Sequence, residues 1–140
     1  MANFLHTMLR VTDPEQSRAF YEALGMEFRR QSDIVRDGHH EATLYFLGFP
    51  GDETDLELTY NTDGRTYELG TAYGHIAIRV DDMSETLERL EGHGIEAEKA
   101  PYRVSVGGSL ICFVPDPDRN LSTLSKEYEA ALVQLVTCSN

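Results

Sequence analysis

Along the first third of the chain, apolar and polar positions alternate, then switch to a helical period, then alternate again. From Phe4 to Val11 an extended strand puts Leu5, Thr7, Leu9 and Val11 on one face and Phe4, His6, Met8 and Arg10 on the other. Asp13 reads as a helix N-cap, with Pro14 at the first helical position and Gln16 placed for a capping box. Phe20, Tyr21 and Leu24 supply the buried stripe until Gly25 ends the helix. Three strand-like stretches follow, Met26 to Arg30, Ala42 to Gly48 and Asp55 to Asn61, separated by turn-rich loops at Asp33 to His40 and Pro50 to Thr54. In the last strand Leu56, Leu58 and Tyr60 point one way and Glu57, Thr59 and Asn61 the other.

The pattern then starts again. His6, Arg10, Val11 and Asp13 are matched, 69 positions later, by His75, Arg79, Val80 and Asp82, and Gly25-Met26-Glu27 by Gly94-Ile95-Glu96. The second helix begins at Asp82 or Ser84, is lined by Met83, Leu87 and Leu90, and stops at Gly92 or Gly94. Strands are expected at Ile95 to Lys99, Ser109 to Val114 and Asn120 to Ser125. The sequence therefore predicts an α+β chain of two tandem βαβββ units, 1–70 and 71–128, joined through Thr62 to Ala72 and followed by a tail at 129–140. Within Glu127 to Val136, a short amphipathic helix and a loosely held tail are both compatible with the pattern.

Composition narrows the function. Twelve basic against 24 acidic side chains give a net charge of −12, a field that opposes nucleic acid and acidic lipid surfaces. The longest apolar runs are far below the roughly 20 residues of a membrane helix, and the start of the chain lacks a basic signal-peptide region. A cytoplasmic protein is expected. Two cysteines, Cys112 and Cys138, are too few for a disulfide framework, and Cys112 in Leu110-Ile111-Cys112-Phe113-Val114 reads as a small buried hydrophobe.

Taken singly, a strand histidine is ordinarily a hydrogen-bonded or half-exposed residue, and Glu57 passes for a solvent-facing one. Two histidines at equivalent places in a duplicated unit are different, because duplication preserves apolar positions without requiring His in both copies. His6, Glu57 and His75 together would make an N/O donor set suited to Ni²⁺, Co²⁺, Zn²⁺ or Fe²⁺ rather than Ca²⁺ or Cu⁺. His39 and His40, beside Gly38, read as a solvated loop, and His93 as a helix-end residue held by the helix dipole. Arg10 shares the His6 face, where it either pairs with an acid or meets an anionic ligand.

The stretches Leu5-His6-Thr7-Met8-Leu9-Arg10-Val11, Leu56-Glu57-Leu58-Thr59-Tyr60-Asn61 and Tyr67-Glu68-Leu69-Gly70-Thr71-Ala72-Tyr73-Gly74-His75-Ile76-Ala77 resemble the glyoxalase I (lactoylglutathione lyase) family, short bacterial type, of the vicinal oxygen chelate superfamily. The likeness runs from about Phe4 to Leu124. It implies two cup-shaped sheets and a homodimer with metal sites between subunits. It also implies a divalent metal held by two His and two Glu, Ni²⁺ favoured over Zn²⁺ or Co²⁺. The implied substrate is the hemithioacetal of methylglyoxal and glutathione, in a detoxification reaction. His6, Glu57 and His75 fall on three of the ligand positions, Glu57 also on a catalytic one, and Arg10 and Asn61 on positions that hold the glutathione part.

The fourth ligand departs from the family. Asp116-Pro117-Asp118 is followed by Arg119 where the family has Gly, and Thr123 occupies the place of the second glutamate. Glu127 shares the Thr123 face but lies about 13 Å further along at strand rise. Val106 replaces the family's lysine before Gly107-Gly108. The expected activity is therefore that of a glyoxalase I weakened at Thr123. The alternatives are a relative that binds metal or a thiol conjugate without this isomerisation, and a sequestering protein of the same architecture.

Overall fold

The structure, a computed structural model, describes residues 1–126. The chain forms two compact units, the first made of Met1–Tyr73 together with the turn Asp116–Asn120, the second of Gly74–Pro115 with the strand that begins at Leu121. The first contains β1 (His6–Arg10), α1 (Pro14–Ala23), β2 (Glu27–Arg36), β3 (His39–Gly48) and β4 (Asp55–Asn61). Its mixed sheet has the order β1-β4-β3-β2, with β1 parallel to β4 and the other pairs antiparallel. The second contains β5 (Ile76–Arg79), α2 (Met83–Gly92), β6 (Tyr102–Arg103), β7 (Leu110–Pro115) and β8 (Leu121–Lys126), in the corresponding order β5-β8-β7-β6. This is the duplicated α+β arrangement that the repeat predicts.

Both helices start and stop by the same chemistry. The Asp13 carboxylate accepts from the Gln16 N–H at 3.1 Å and the Asp82 carboxylate from the Glu85 N–H at 2.9 Å, each satisfying a donor the first turn leaves orphaned. Beyond each helix the chain turns through a glycine at positive φ, Gly25 and Gly94, and the next N–H returns to a helical carbonyl: Met26 to Tyr21, Ile95 to Leu90. Phe20, Tyr21 and Leu24 on one helix and Met83 and Leu90 on the other are buried, as are Leu9, Val11, Leu56 and Leu58 of the first sheet and Ile78 and Leu124 of the second.

Three expectations are corrected. Asp33 to His40 is not a loop: β2 and β3 run on into a ribbon closed by Asp37 (φ 50) and Gly38 (φ 77), the two positive-φ positions of a two-residue hairpin turn. His39 and His40 consequently sit in β3, and His40 Nε2 meets Thr43 Oγ1 at 2.7 Å. Ile95 to Lys99 is not a strand; that edge is reduced to Tyr102–Arg103 after Pro101, and Glu98 gives one N–H to the Phe113 carbonyl. Glu57 is not solvent-facing but 9% exposed, because both faces of β4 are covered. The expectations for Glu127 to Val136 and Cys138 fall outside the described residues.

The turn Asp116–Asn120 packs on α1. The buried Asp116 carboxylate accepts from Tyr21 Oη at 2.7 Å, Asn120 Nδ2 at 3.0 Å, and the N–H groups of Asn120 (2.8 Å) and Asp118 (2.9 Å). Asp118 accepts from Thr12 Oγ1 at 2.6 Å. Burial pushes the Asp116 carboxyl above its ordinary pKa, with the donated hydrogen bonds pulling the other way.

Candidate functional site

Each unit carries one copy of the same local device. In the first, Met8 of β1 lies beside Glu57 of β4, and Glu57 lies opposite Phe46 of β3. His6, two residues before Met8, projects from the same face and meets the Phe46 ring edge-on, centroids 6.0 Å apart and planes at 86°. In the second, Ala77 lies beside Thr123 and Thr123 opposite Phe113, while His75, two residues before Ala77, meets the Phe113 ring at 5.4 Å and 82°. Thr123 therefore holds in its unit the place that Glu57 holds in the other.

What differs is the chemistry at that place. Glu57 is buried, yet among the described residues its carboxylate takes only one long hydrogen bond, 3.5 Å from Thr59 Oγ1, and no Lys or Arg pairs with it. A buried carboxylate without a counter-charge is costly, so its environment is one that a cation would complete. Thr123 is also buried, and its Oγ1 has no hydrogen-bond partner among the described residues, as is true of its neighbour Ser122.

The other expected groups lie nearby. Arg10 ends β1 beside Thr59, exposed and without a carboxylate partner among the described residues. Asn61 ends β4 half-buried and donates from Nδ2 to Tyr67 Oη at 2.7 Å. The first unit thus gathers His6, Arg10, Glu57 and Asn61 on one face; His75 and Thr123 belong to the second. Among the described residues no three His, Cys, Asp or Glu side chains of this single chain surround a common point. An imidazole on the same sheet face as a buried carboxylate that has no cationic partner among the described residues nonetheless fits a share in a divalent site of N and O donors. Phe46 and Phe113, absent from the residues singled out by sequence, were detectable only by extending the repeat into the third strand of each unit.

Comparison with known proteins supports the same reading of the chain. Residues 3–123 match the Glyoxalase/Bleomycin resistance protein/Dioxygenase superfamily. The lactoylglutathione lyase of Neisseria meningitidis serogroup A is 46% identical over 118 residues, 81% of this chain and 83% of that protein. That of Escherichia coli O157:H7 is 42% identical over 130 residues, covering 90% and 93%. Among solved structures, the trypanothione-dependent glyoxalase I of Leishmania major superposes with a TM-score of 0.75 at 36% identity, covering 99% of this chain and 95% of that one. Glyoxalase I from Zea mays gives 0.79 at 33% identity, covering 90% of this chain and 45% of that one. With two units of matching order, a histidine in equivalent register in each and this degree of identity, the chain belongs to the glyoxalase I family of the glyoxalase/bleomycin resistance protein/dioxygenase superfamily.

Proposed function

We propose that the protein is a metal-dependent lactoylglutathione lyase that converts the hemithioacetal of methylglyoxal and glutathione into S-lactoylglutathione. The observation that carries this is Glu57, a buried carboxylate with no counter-charge among the described residues, on the same sheet face as His6 in a chain 46% identical to a lactoylglutathione lyase. His6 and Glu57 of one copy, with His75 and Thr123 of a second, would hold the metal, Ni²⁺ favoured over Zn²⁺ or Co²⁺. This makes the working protein a homodimer. A glutathione-containing, reducing cytoplasm fits the substrate and the buried, unpaired Cys112 thiol, whose pKa burial pushes up.

A bound divalent ion would neutralise the negative charge that develops on the substrate oxygens. The rest belongs to the chain. Glu57 takes the proton from the thiol-bearing carbon and returns it to the adjacent carbon, while the hydroxyl proton passes to the neighbouring oxygen. No atom enters or leaves, and the product is a thioester. Arg10 pairs with a carboxylate of the tripeptide, and Asn61 offers it both donor and acceptor. Tyr67 Oη accepts from Asn61 Nδ2 and ties that side chain to the 62–72 segment.

A second reading is favoured by Thr123, whose hydroxyl has neither the charge nor the basicity of glutamate: the protein binds metal or a thiol conjugate without isomerising it. The protein loaded with Ni²⁺ or Zn²⁺ and supplied with methylglyoxal and glutathione separates the two by thioester absorbance. Turnover that falls by about 10²- to 10⁴-fold in Glu57→Gln supports the lyase. Metal uptake with no thioester supports the alternative.

A further inference from the structure

Arg30, which no sequence pattern singles out, lies in the Glu57 row of the sheet. Across β2 and β3 Arg30 lies opposite Phe46, and across β3 and β4 Phe46 lies opposite Glu57, so the three leave the sheet on one face. A register shift between Phe28 and Arg30 produces this. Phe28 pairs with Leu47, and plain alternation would then set Arg29 against Phe46 and send Arg30 to the helix side. The extra residue reverses that, as bulges beside functional sites do. Arg29, taken out of the ladder, instead binds the Phe49 carbonyl at 2.8 Å, the Asp52 carbonyl and the Asp55 carboxylate at 2.6 Å. One bulge gives two arginines two different jobs.

Arg30 is held by a ring rather than by an acid. Its guanidinium carbon sits 3.5 Å from the centroid of the Phe46 ring, the ring that also touches His6. The side chain is exposed, and among the described residues no carboxylate lies within ion-pair distance of it. In this acidic chain Arg18, Arg29, Arg36 and Arg65 all have acidic partners. Stacking on an aromatic ring covers one face of the guanidinium and leaves its N–H edges directed outward in a planar fork, the geometry that takes a carboxylate through two hydrogen bonds. The second unit builds this edge differently: β6 is only Tyr102–Arg103, and the Phe113 carbonyl accepts from the Glu98 N–H.

We infer that Arg30 is a substrate-reading residue: it binds a carboxylate of the tripeptide thiol, on the opposite side of Glu57 from Arg10. The inference rests on the lyase reading above. The span is compatible, because a tripeptide reaches about 10 Å when extended and the Phe46 ring bridges from the guanidinium to His6.

The test is calorimetric binding of S-methylglutathione, which cannot react, and of its diethyl ester, which has no carboxylates, to the nickel-loaded protein. Arg30→Gln should weaken S-methylglutathione about tenfold, as expected for one charge-assisted contact, and leave the ester unchanged. Arg30→Lys should recover part of the loss. With the hemithioacetal the same change should raise KM and spare kcat. Equal binding by wild type and Arg30→Gln, or an equal loss with the ester, overturns the assignment while the lyase reading stands. Wild-type protein that binds no S-methylglutathione overturns both.

Discussion

The two units build one device with unequal completeness. In both, a capped helix follows a short strand, and a histidine at or just before the start of that strand (His6, His75) meets the ring of a phenylalanine two strands over in the same unit (Phe46, Phe113). The first unit adds a buried carboxylate, two arginines, Arg10 and Arg30, without acidic partners among the described residues, and a ten-residue β2; the second has a threonine and a two-residue β6. Backbone register and ring packing are properties of the fold, and they survive in both copies. The charge to which the proposal assigns the chemistry is a separate matter, and Glu57 places it in one copy only, Thr123 holding the equivalent place in the other. Fold similarity therefore accounts for where Thr123 sits and says nothing about what it does.

Restoring the missing charge is the change expected to have the largest effect. Thr123→Glu should raise thioester formation by up to the about 10²- to 10⁴-fold that a positioned general base contributes, measured in the nickel-loaded protein. If turnover and metal occupancy both stay where they are, Thr123 is not the equivalent of Glu57.

The Asp116 turn tests the stability side. Tyr21→Phe removes one of four donors to a buried carboxylate and should cost about 1–3 kcal/mol by urea denaturation. The pH dependence has a definite sign. The folded Asp116 carboxyl lies above its ordinary pKa, so its contribution is greatest below the unfolded value and is lost as pH rises through the folded one. The stability deficit of Asp116→Asn relative to wild type should therefore widen on acidification. A deficit that narrows would mean that the donated bonds outweigh burial.

Smaller effects compare the units directly. Arg119 occupies a positive φ of 69°, a backbone conformation that glycine adopts without strain, and Arg119→Gly should stabilise by about 1 kcal/mol in the same denaturation experiment. Asp13→Ala and Asp82→Ala should each cost about 1 kcal/mol, since each removes an equivalent cap. Markedly unequal losses in thermal melts would show that only one helix depends on its cap.

Much of this was legible in the sequence because its signals are local. A repeat of His, Arg, Val and Asp, an Asp-Pro cap and a helix-ending glycine each act within a few residues, and they gave the order of elements. What was missed depends on neighbours distant in sequence. Asp37-Gly38 is a recognisable hairpin turn, but the polar residues around it masked the strands it joins. The burial of Glu57 follows from coverage of the second sheet face, which alternation along one strand does not reveal. Arg30 faces the site only through a bulge, a single inserted residue with no local signature. Thr123 was read from the sequence as the vacant ligand position, and the register places it opposite Phe113 as Glu57 is placed opposite Phe46; its role is the proposal.

The central claim is that half-sites of two copies hold one ion, and subunit mixing tests it most directly. His6→Ala and His75→Ala proteins should each bind Ni²⁺ poorly alone. Refolded together, they should regain tight nickel binding, because a mixed dimer contains one site with both histidines and another with neither. A mixture that binds nickel no better than its two components would contradict the account.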